Sequence, residues 1–306
     1  RRIIFIVLCV AIVIPFWFYK GQAATIPSSY KLTDHITITP KDQGWWNSNY
    51  NVCWAFASLS ALETSKDEDM NGSFSADHLI YQNPFGKNFE EGGAYVVTMS
   101  YLLSWKGPIL EETDPFDGES QDGLEPYLHV QEIRQSEPKD YETIKKFVYL
   151  YGGVESAIYL DFDEYMIDSP YYDQEYNSYC YMGQEISNHD IVIIGWDDHF
   201  PAENFANDVT SDGAFLCLNS WGEGFGDRGT FYVSYEDVNI GGYGVAYTRV
   251  DKPDNYDRIY QSDLCGYTAQ VGYGQEEAWF ASVYRAEEDI SLRAAGFYAT
   301  GKNTEY

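Results

Sequence analysis

Positive charge is scarce in this chain. Nineteen Lys and Arg stand against 48 Asp and Glu over 306 residues, a formal charge of −29. Nucleic-acid phosphates and anionic membrane surfaces repel such a chain, so both are poor partners, whereas a cationic substrate would be drawn to it. Cysteine is scarce as well. Of five, Cys9 lies in an apolar N-terminal run, which leaves Cys53, Cys180, Cys217 and Cys265. They are too few and too scattered for a disulfide scaffold, although one bridge among the last three stays open. No C-x-x-C pair occurs and no spaced ligand set accompanies Asp197-Asp198-His199, so neither a metal nor a cofactor is expected. The run Ile3 to Phe18 is short for a membrane span. Internal repeats and low-complexity tracts are missing.

What is there is globular in character: 44% hydrophobic residues, with 28 Tyr and 8 Trp, enough to bury one large core plus an additional unit. Arg1-Arg2, the apolar run and the small residues Gly21 and Ala23 read as a secretory signal over residues 1–23, cleaved after Ala23. The protein is therefore expected outside the cell. Uncleaved, this segment would be its sole membrane attachment.

From residue 24 to Gly44 the chain is irregular, punctuated by Pro27 and Pro40. Ala55, Leu59 and Leu62 then recur at helical spacing from Cys53 onward, ending in Lys66-Asp67-Glu68-Asp69. Ser75 is a suitable N-cap for a second helix, and Ala94 to Trp105 predicts a third. Asp114 to Glu137, acidic and broken by Pro and Gly, reads as surface loop. A short helix near Tyr141 to Lys146 precedes strand candidates at Val154–Leu160, Asp190–Trp196, Ala214–Leu218 and Thr230–Tyr235. Helices first and strands after predict an α+β domain in two halves. Asp251 to Asp257 reads as a linker, and Trp279–Tyr284 and Ala294–Ala299 as strands of a further β unit. The fifty or so residues past the linker are short for an independent sandwich, so that unit is expected to be truncated.

Four stretches supply the parts of nucleophilic catalysis. Cys53 opens a helix, where unpaired N–H groups and the macrodipole favour a thiolate. His189 in "SNHDIVIIGWDD" precedes a buried apolar run that could hold an imidazole rigidly. Asn219 in "LCLNSWGEGFGDRGTFYVSYED" follows a strand. Gln43 lies ten positions before Cys53 and could donate an amide N–H to an oxyanion. Other features have plainer readings. His78 suits a helix, His199 a loop, and "GFGDRG" leads into a strand rather than the helix a dinucleotide site requires. A lone Cys before a helix could also be merely structural.

With "DQG…CWAFA", "GPILEETDPF", "NHDIVIIGWDD" and "NSWGEGFGDRGTFYVSYED" in this order, the chain resembles the papain-like cysteine peptidases. It is most similar to bacterial secreted members with a lectin-like domain after the peptidase domain. The resemblance covers residues 26–306. It implies a helical half carrying Cys53 against a β-rich half carrying His189 and Asn219, with the site in the cleft between. By it Gln43 helps form the oxyanion hole, Cys53 is the nucleophile, His189 the base and then acid, and Asn219 the residue orienting it. Attack would start from a thiolate–imidazolium pair. Trp221 would cover the His189–Asn219 contact, Gly92 and Gly93 would lay out substrate backbone, and Ala157 would line the pocket for the second residue before the scissile bond. The implied layout is signal 1–23, peptidase domain 24–250, linker 251–257 and the start of a lectin-like β domain at 258–306. Partners would be protein or peptide substrates, with glycans at the C-terminal unit.

Three departures from the family pattern bear on this. Gly44 and Cys53 are about four residues further apart, "WWNSNYNV" lacking the inner glycine and the usual neighbouring cysteine. Trp45 and Trp46 could narrow the cleft. The His189–Asn219 interval contains an inserted loop, "HFPAENFANDVTSDG". The segment between signal and Gln43 leaves no room for a long inhibitory propeptide. Two other readings follow: an inactive scaffold whose longer loop closes the cleft, or an adhesion protein acting through its C-terminal unit.

Overall fold

The computed structural model describes residues 26–44, 50–65, 72–162, 168–269, 274, 279 and 281–298. The signal over 1–23, Trp45 and Trp46, and the acidic end at 66–69 lie outside them.

The first long element, α1 (Cys53–Glu63), is buried on nearly every side: Trp54 through Leu62 are all enclosed. A helix apolar all round belongs in the middle of a fold, not on its surface. Thr64 ends it and fixes its direction, because the Gly153 N–H donates to Thr64 Oγ1 at 3.0 Å. Gly152 takes φ 119°, and a Cβ there would stand 2.2 Å from the Thr64 carbonyl oxygen. Two shorter helices, α2 (Ala76–Gln82) and α3 (Tyr95–Leu103), pack beside it. Ser75 caps α2 as the sequence predicts, accepting from the His78 N–H at 3.0 Å. Asp77 on α2 accepts from the Asp117 and Gly118 N–H groups at 2.8 and 2.7 Å, tying the acidic loop to the helical half.

The other half is one twisted, mostly antiparallel sheet. Its strands are β1 (Ser29–Lys31), β2 (His129–Gln135), β3 (Val154–Ile158), β4 (Tyr172–Asp173), β5 (Ser178–Tyr179), β6 (His189–Asp197), β7 (Ala214–Leu218), β8 (Thr230–Ser234) and β9 (Val245–Asp251). They lie in the order β2-β9-β3-β6-β7-β8-β5-β4, with β1 on β6. Between β2 and β3, α4 (Tyr141–Tyr151) is capped by Asp140, which accepts from the Thr143 N–H at 3.1 Å, and buries only Ile144 and Val148.

β6 is central. Its first half pairs with β3, Ile158 opposite His189 and Val154 opposite Ile193. Beyond Ile193 that edge passes to β1, where Tyr30 faces Trp196. Gly195 makes the handover possible, since a Cβ on it would sit 2.3 Å from the Tyr30 carbonyl oxygen.

Two expectations need correction. Residues 129–135 are not loop but the edge strand β2, paired with β9 through two irregularities around Glu132. Its outer residues are exposed and polar, so its sequence reads like surface chain. No strand occupies 279, 281–284 or 294–298, the described residues of the two C-terminal strand candidates. Their apolar side chains stand open, Trp279 85% and Val283 93% exposed, so alternation there is unmatched by burial. The 251–257 segment is held to the domain: the His129 Nδ1–H donates to Asn255 Oδ1 at 2.8 Å, and Trp105 stacks on His129 at 3.9 Å and lies parallel to Tyr256.

Replacing Gly195 by Ala should cost about 2 kcal/mol, because the added methyl meets backbone rather than a movable side chain. Chemical denaturation measures it; an unchanged midpoint would contradict the close β1–β6 approach.

Candidate active site

The site forms where the N-terminus of α1 meets the start of β6. No side chain caps α1; Val52 precedes it and supplies only its carbonyl to Ala55 and Phe56. The first turn therefore keeps unpaired N–H donors. Cys53 is half-buried and all four described cysteines are free thiols, which removes the bridge left open above. The Asp190 and Trp54 N–H groups lie near the Cys53 sulfur and favour its charged form. Asp190 directly follows His189, so the thiol lies against the opening residues of β6.

The electrostatics differ from the sequence expectation. Burial, and then the Asp190 carboxyl, push the Cys53 thiol up to about 12, outweighing the nearby N–H groups. Burial likewise lowers His189 to about 4, against the hydrogen bond it donates to Asn219, which favours its charge. Burial thus shifts each group toward its neutral form.

Asn219 sets the histidine's tautomer. Its Oδ1 accepts from the Ser220 N–H at 2.8 Å, which identifies that atom as oxygen. The same oxygen lies 2.8 Å from His189 Nε2, so Nε2 carries the proton and donates it. His189 Nδ1 is left with its lone pair, as a base requires. Asn219 is held in turn by its N–H to the Gly229 carbonyl at 2.9 Å. The Trp221 ring covers the pair, 5.2 Å from the His189 ring, and is itself packed edge-on by Phe162 and Phe225.

Gln43 reaches the site along 41–44, which lies on the 220–222 turn: Gln43 N–H donates to the Ser220 carbonyl and Gly222 N–H to that of Lys41, both at 2.9 Å. Ser220 Oγ donates to Gln43 Oε1 at 2.6 Å. With the amide oxygen engaged, Nε2 remains as a donor. Lys41 fixes the other end of this segment through a largely buried 2.6 Å ion pair with Glu63, at the C-terminus of α1.

Gly92 and Gly93 precede α3. A Cβ on Gly93 would strike the Trp54 ring at 2.6 Å, whereas nothing lies within 4 Å of one on Gly92. The result is a strip of bare backbone beside the residue after Cys53. Ala157, 4% exposed, is the β3 partner of Asp190. The rival histidines have other work: His78 is buried, its Nδ1 2.7 Å from the Tyr101 hydroxyl, and His199 is exposed on a turn. Asp198 beside it is engaged by Lys145 and Tyr235. Sequence reasoning missed Ser220, Glu155, Asp190 and Tyr243. Acidic residues within the apolar strands "VESAI" and "HDIVIIGW" were the available signal.

Comparisons with known proteins bear on the fold that carries these residues. A family model described as Papain family cysteine protease matches residues 26–248, and one described as Lectin like domain matches 259–306. The chain belongs to the papain family of cysteine proteases. It is 30% identical to a structure of the clostridial cysteine protease Cwp84, at TM-score 0.65, covering 77% of this chain and 61% of that one. The protease and lectin-like domains of Cwp84, described as a surface layer associated protein of Clostridium difficile, superpose at TM-score 0.67 with 29% identity, covering 78% and 56%. Bromelain from Ananas comosus shares the fold at 16% identity and TM-score 0.56, over 73% of this chain and 99% of that one. Falcipain-2b of Plasmodium falciparum is 21% identical over 72% of this chain and 45% of its own length. A cathepsin L-like protein of Caenorhabditis elegans is 23% identical over 65% and 56%. The chain thus spans about half the length of these curated relatives. Among the described residues no helix is long and apolar enough to cross a membrane.

His189, ordinarily near 6.5, should stay neutral on Nδ1 until pH approaches 4. A base depressed on folding contributes fully above 6.5, and its share of stability is lost as pH falls toward 4. Nitrogen NMR of labelled histidine reads this; an imidazolium at pH 7 in the resting protein would contradict it.

Proposed function

We propose that the protein is a cysteine endopeptidase that cleaves protein or peptide substrates outside the cell through Cys53, His189 and Asn219. The observation that carries this is the Asn219-held, Nε2-protonated His189 at the start of β6, next to Asp190, whose backbone lies near the Cys53 sulfur.

Because burial favours the neutral pair, proton transfer accompanies attack. His189 Nδ1 takes the Cys53 thiol proton as Sγ bonds to the substrate carbonyl carbon and the carbonyl π pair moves onto oxygen. The Cys53 N–H at the uncapped start of α1 and the Gln43 Nε2 amide hold that oxyanion. The intermediate collapses, the C–N bond breaks, and the amine leaves with the proton from His189. Water, deprotonated by His189, attacks the thioester carbonyl; the carboxyl product departs and Sγ regains its proton. Asn219 keeps the imidazole in the required tautomer, and Trp221 shields that contact from water. Gly92 and Gly93 offer backbone to an extended substrate, and Ala157 borders the pocket beside Asp190.

The layout we assign is signal 1–23, peptidase domain 24–250, linker 251–257 and a lectin-like unit from 258. The apolar N-terminal run and the surface-layer association of Cwp84 support an extracellular location. The lectin-like match favours glycan binding as a second property of the chain.

Cys53→Ala should abolish hydrolysis of an unfolded protein substrate, a loss of ~10⁴-fold or more, while His199→Ala stays near wild type. A fluorogenic casein assay under mild reductant measures both. Equal losses in the two variants would overturn the assignment of the base.

A further inference from the structure

Behind the nucleophile lie two carboxyl groups that this chemistry leaves unused. Ala157 on β3 faces Asp190 on β6, and Glu155 faces Val192. Residues two apart on a strand share a face, so Glu155 and Asp190 are diagonal neighbours on the same side of the sheet. That side meets α1. Glu155 is fully buried; its Oε2 accepts from Ser58 Oγ at 2.6 Å, on the same helix as Cys53, and its Oε1 has no partner. Asp190 is 8% exposed, and its Oδ1 accepts from the Tyr243 hydroxyl at 2.5 Å. The Tyr243 ring rests against Tyr95 of α3, centroids 4.7 Å apart.

The groups facing the pair are therefore Cys53 and Ser58 from α1, Tyr243 before β9, with Tyr95 of α3 behind it, and Tyr247 on β9. Among the described residues no Lys or Arg forms an ion pair with either carboxyl. Two unpaired charges side by side in this interior are far costlier than one, so the pair retains a proton. Glu155, the more enclosed, holds it. Asp190 has a phenol donor and an edge on the cleft, and is the carboxyl that ionises first.

We propose that Asp190 is a positioning residue whose charge, set against the Cys53 sulfur and backed by a protonated Glu155, governs how readily Cys53 gives up its proton. This rests on the reading of Cys53 as the nucleophile. The backbone N–H of Asp190 lies near the sulfur and favours its charge, while the side chain, once ionised, opposes the thiolate. Burial and the near neighbours place the two titrations in order: Asp190 is raised to about 6 and Glu155 well above the carboxylate range. Below about 6 the sulfur therefore faces a neutral acid, above it an anion.

The test is the rate of Cys53 alkylation by iodoacetamide from pH 5 to 9, each cysteine followed separately by peptide mapping. Asp190→Asn, which still accepts from Tyr243, should speed Cys53 labelling roughly five- to tenfold at pH 8 and leave it unchanged at pH 5, about one pKa unit being tenfold in thiolate. Glu155→Gln, which mimics the protonated acid, should follow wild type throughout. Asp190→Asn should also melt higher than wild type at pH 8 and equally near pH 4. An acid raised by folding loses its share of stability as pH rises through its folded value, and Asn has none to lose. Tyr243→Phe is the second variant should Asp190→Asn not fold. Without its phenol the Asp190 carboxylate is less favoured, and the break in the alkylation profile should move to higher pH.

Identical profiles for Asp190→Asn and wild type, or acceleration by Glu155→Gln instead, would overturn the proposal. Alkylation needs no peptide turnover. A wild type without hydrolytic activity would count against the peptidase reading and leave this profile measurable.

Discussion

The seating of the α1 N-terminus against the first residues of β6 is the contact on which everything else depends. It brings the Cys53 sulfur close to Asp190, the residue that follows His189. The fold fixes it from both ends of the helix. At the far end Thr64 is pinned to the Gly152-Gly153 turn that starts β3, and Glu63 is paired with Lys41. Because β3 is the antiparallel partner of β6, the same turn that anchors the helix also sets the strand that carries the histidine. Lys41 leads within two residues to Gln43, which is bonded to the turn after Asn219. Cys53, His189 and Gln43 are referred to one frame.

Within that frame, enclosure outweighs the helix terminus. Unpaired N–H groups at the start of α1 favour a thiolate, and the Asp190 and Trp54 N–H groups lie near the sulfur. Burial and nearby carboxyls act the other way and win. The same enclosure keeps His189 neutral, with Nε2–H committed to Asn219. Both shifts favour uncharged groups at rest.

Much of this was legible in the sequence. Cys53 through Leu62 reads as a buried helix because small and apolar residues fill every side of it, and Ser75 announces its helix because a hydroxyl before a run of helix formers has one obvious use. The strands Ala214–Leu218 and Thr230–Ser234 were visible as apolar runs between glycines and acids. β2 and the short pair β4–β5 were not, since edge strands draw their stability from backbone pairing and look like loop. The Glu155–Asp190 pair escaped for another reason: their proximity comes from strand register, which no local pattern reports. The burial that opposes a Cys53 thiolate was not legible either, because a helix N-terminus is a local signal and burial is a global one.

The central claim is that Cys53 is a nucleophile served by His189. A peptidyl epoxysuccinyl inhibitor, added under mild reductant and mapped by mass spectrometry, tests it most directly. The account predicts rapid single-site labelling of Cys53 in the wild type and little in His189→Ala. Labelling at the same rate in both, or none with Cys53 reduced and the protein folded, would contradict it.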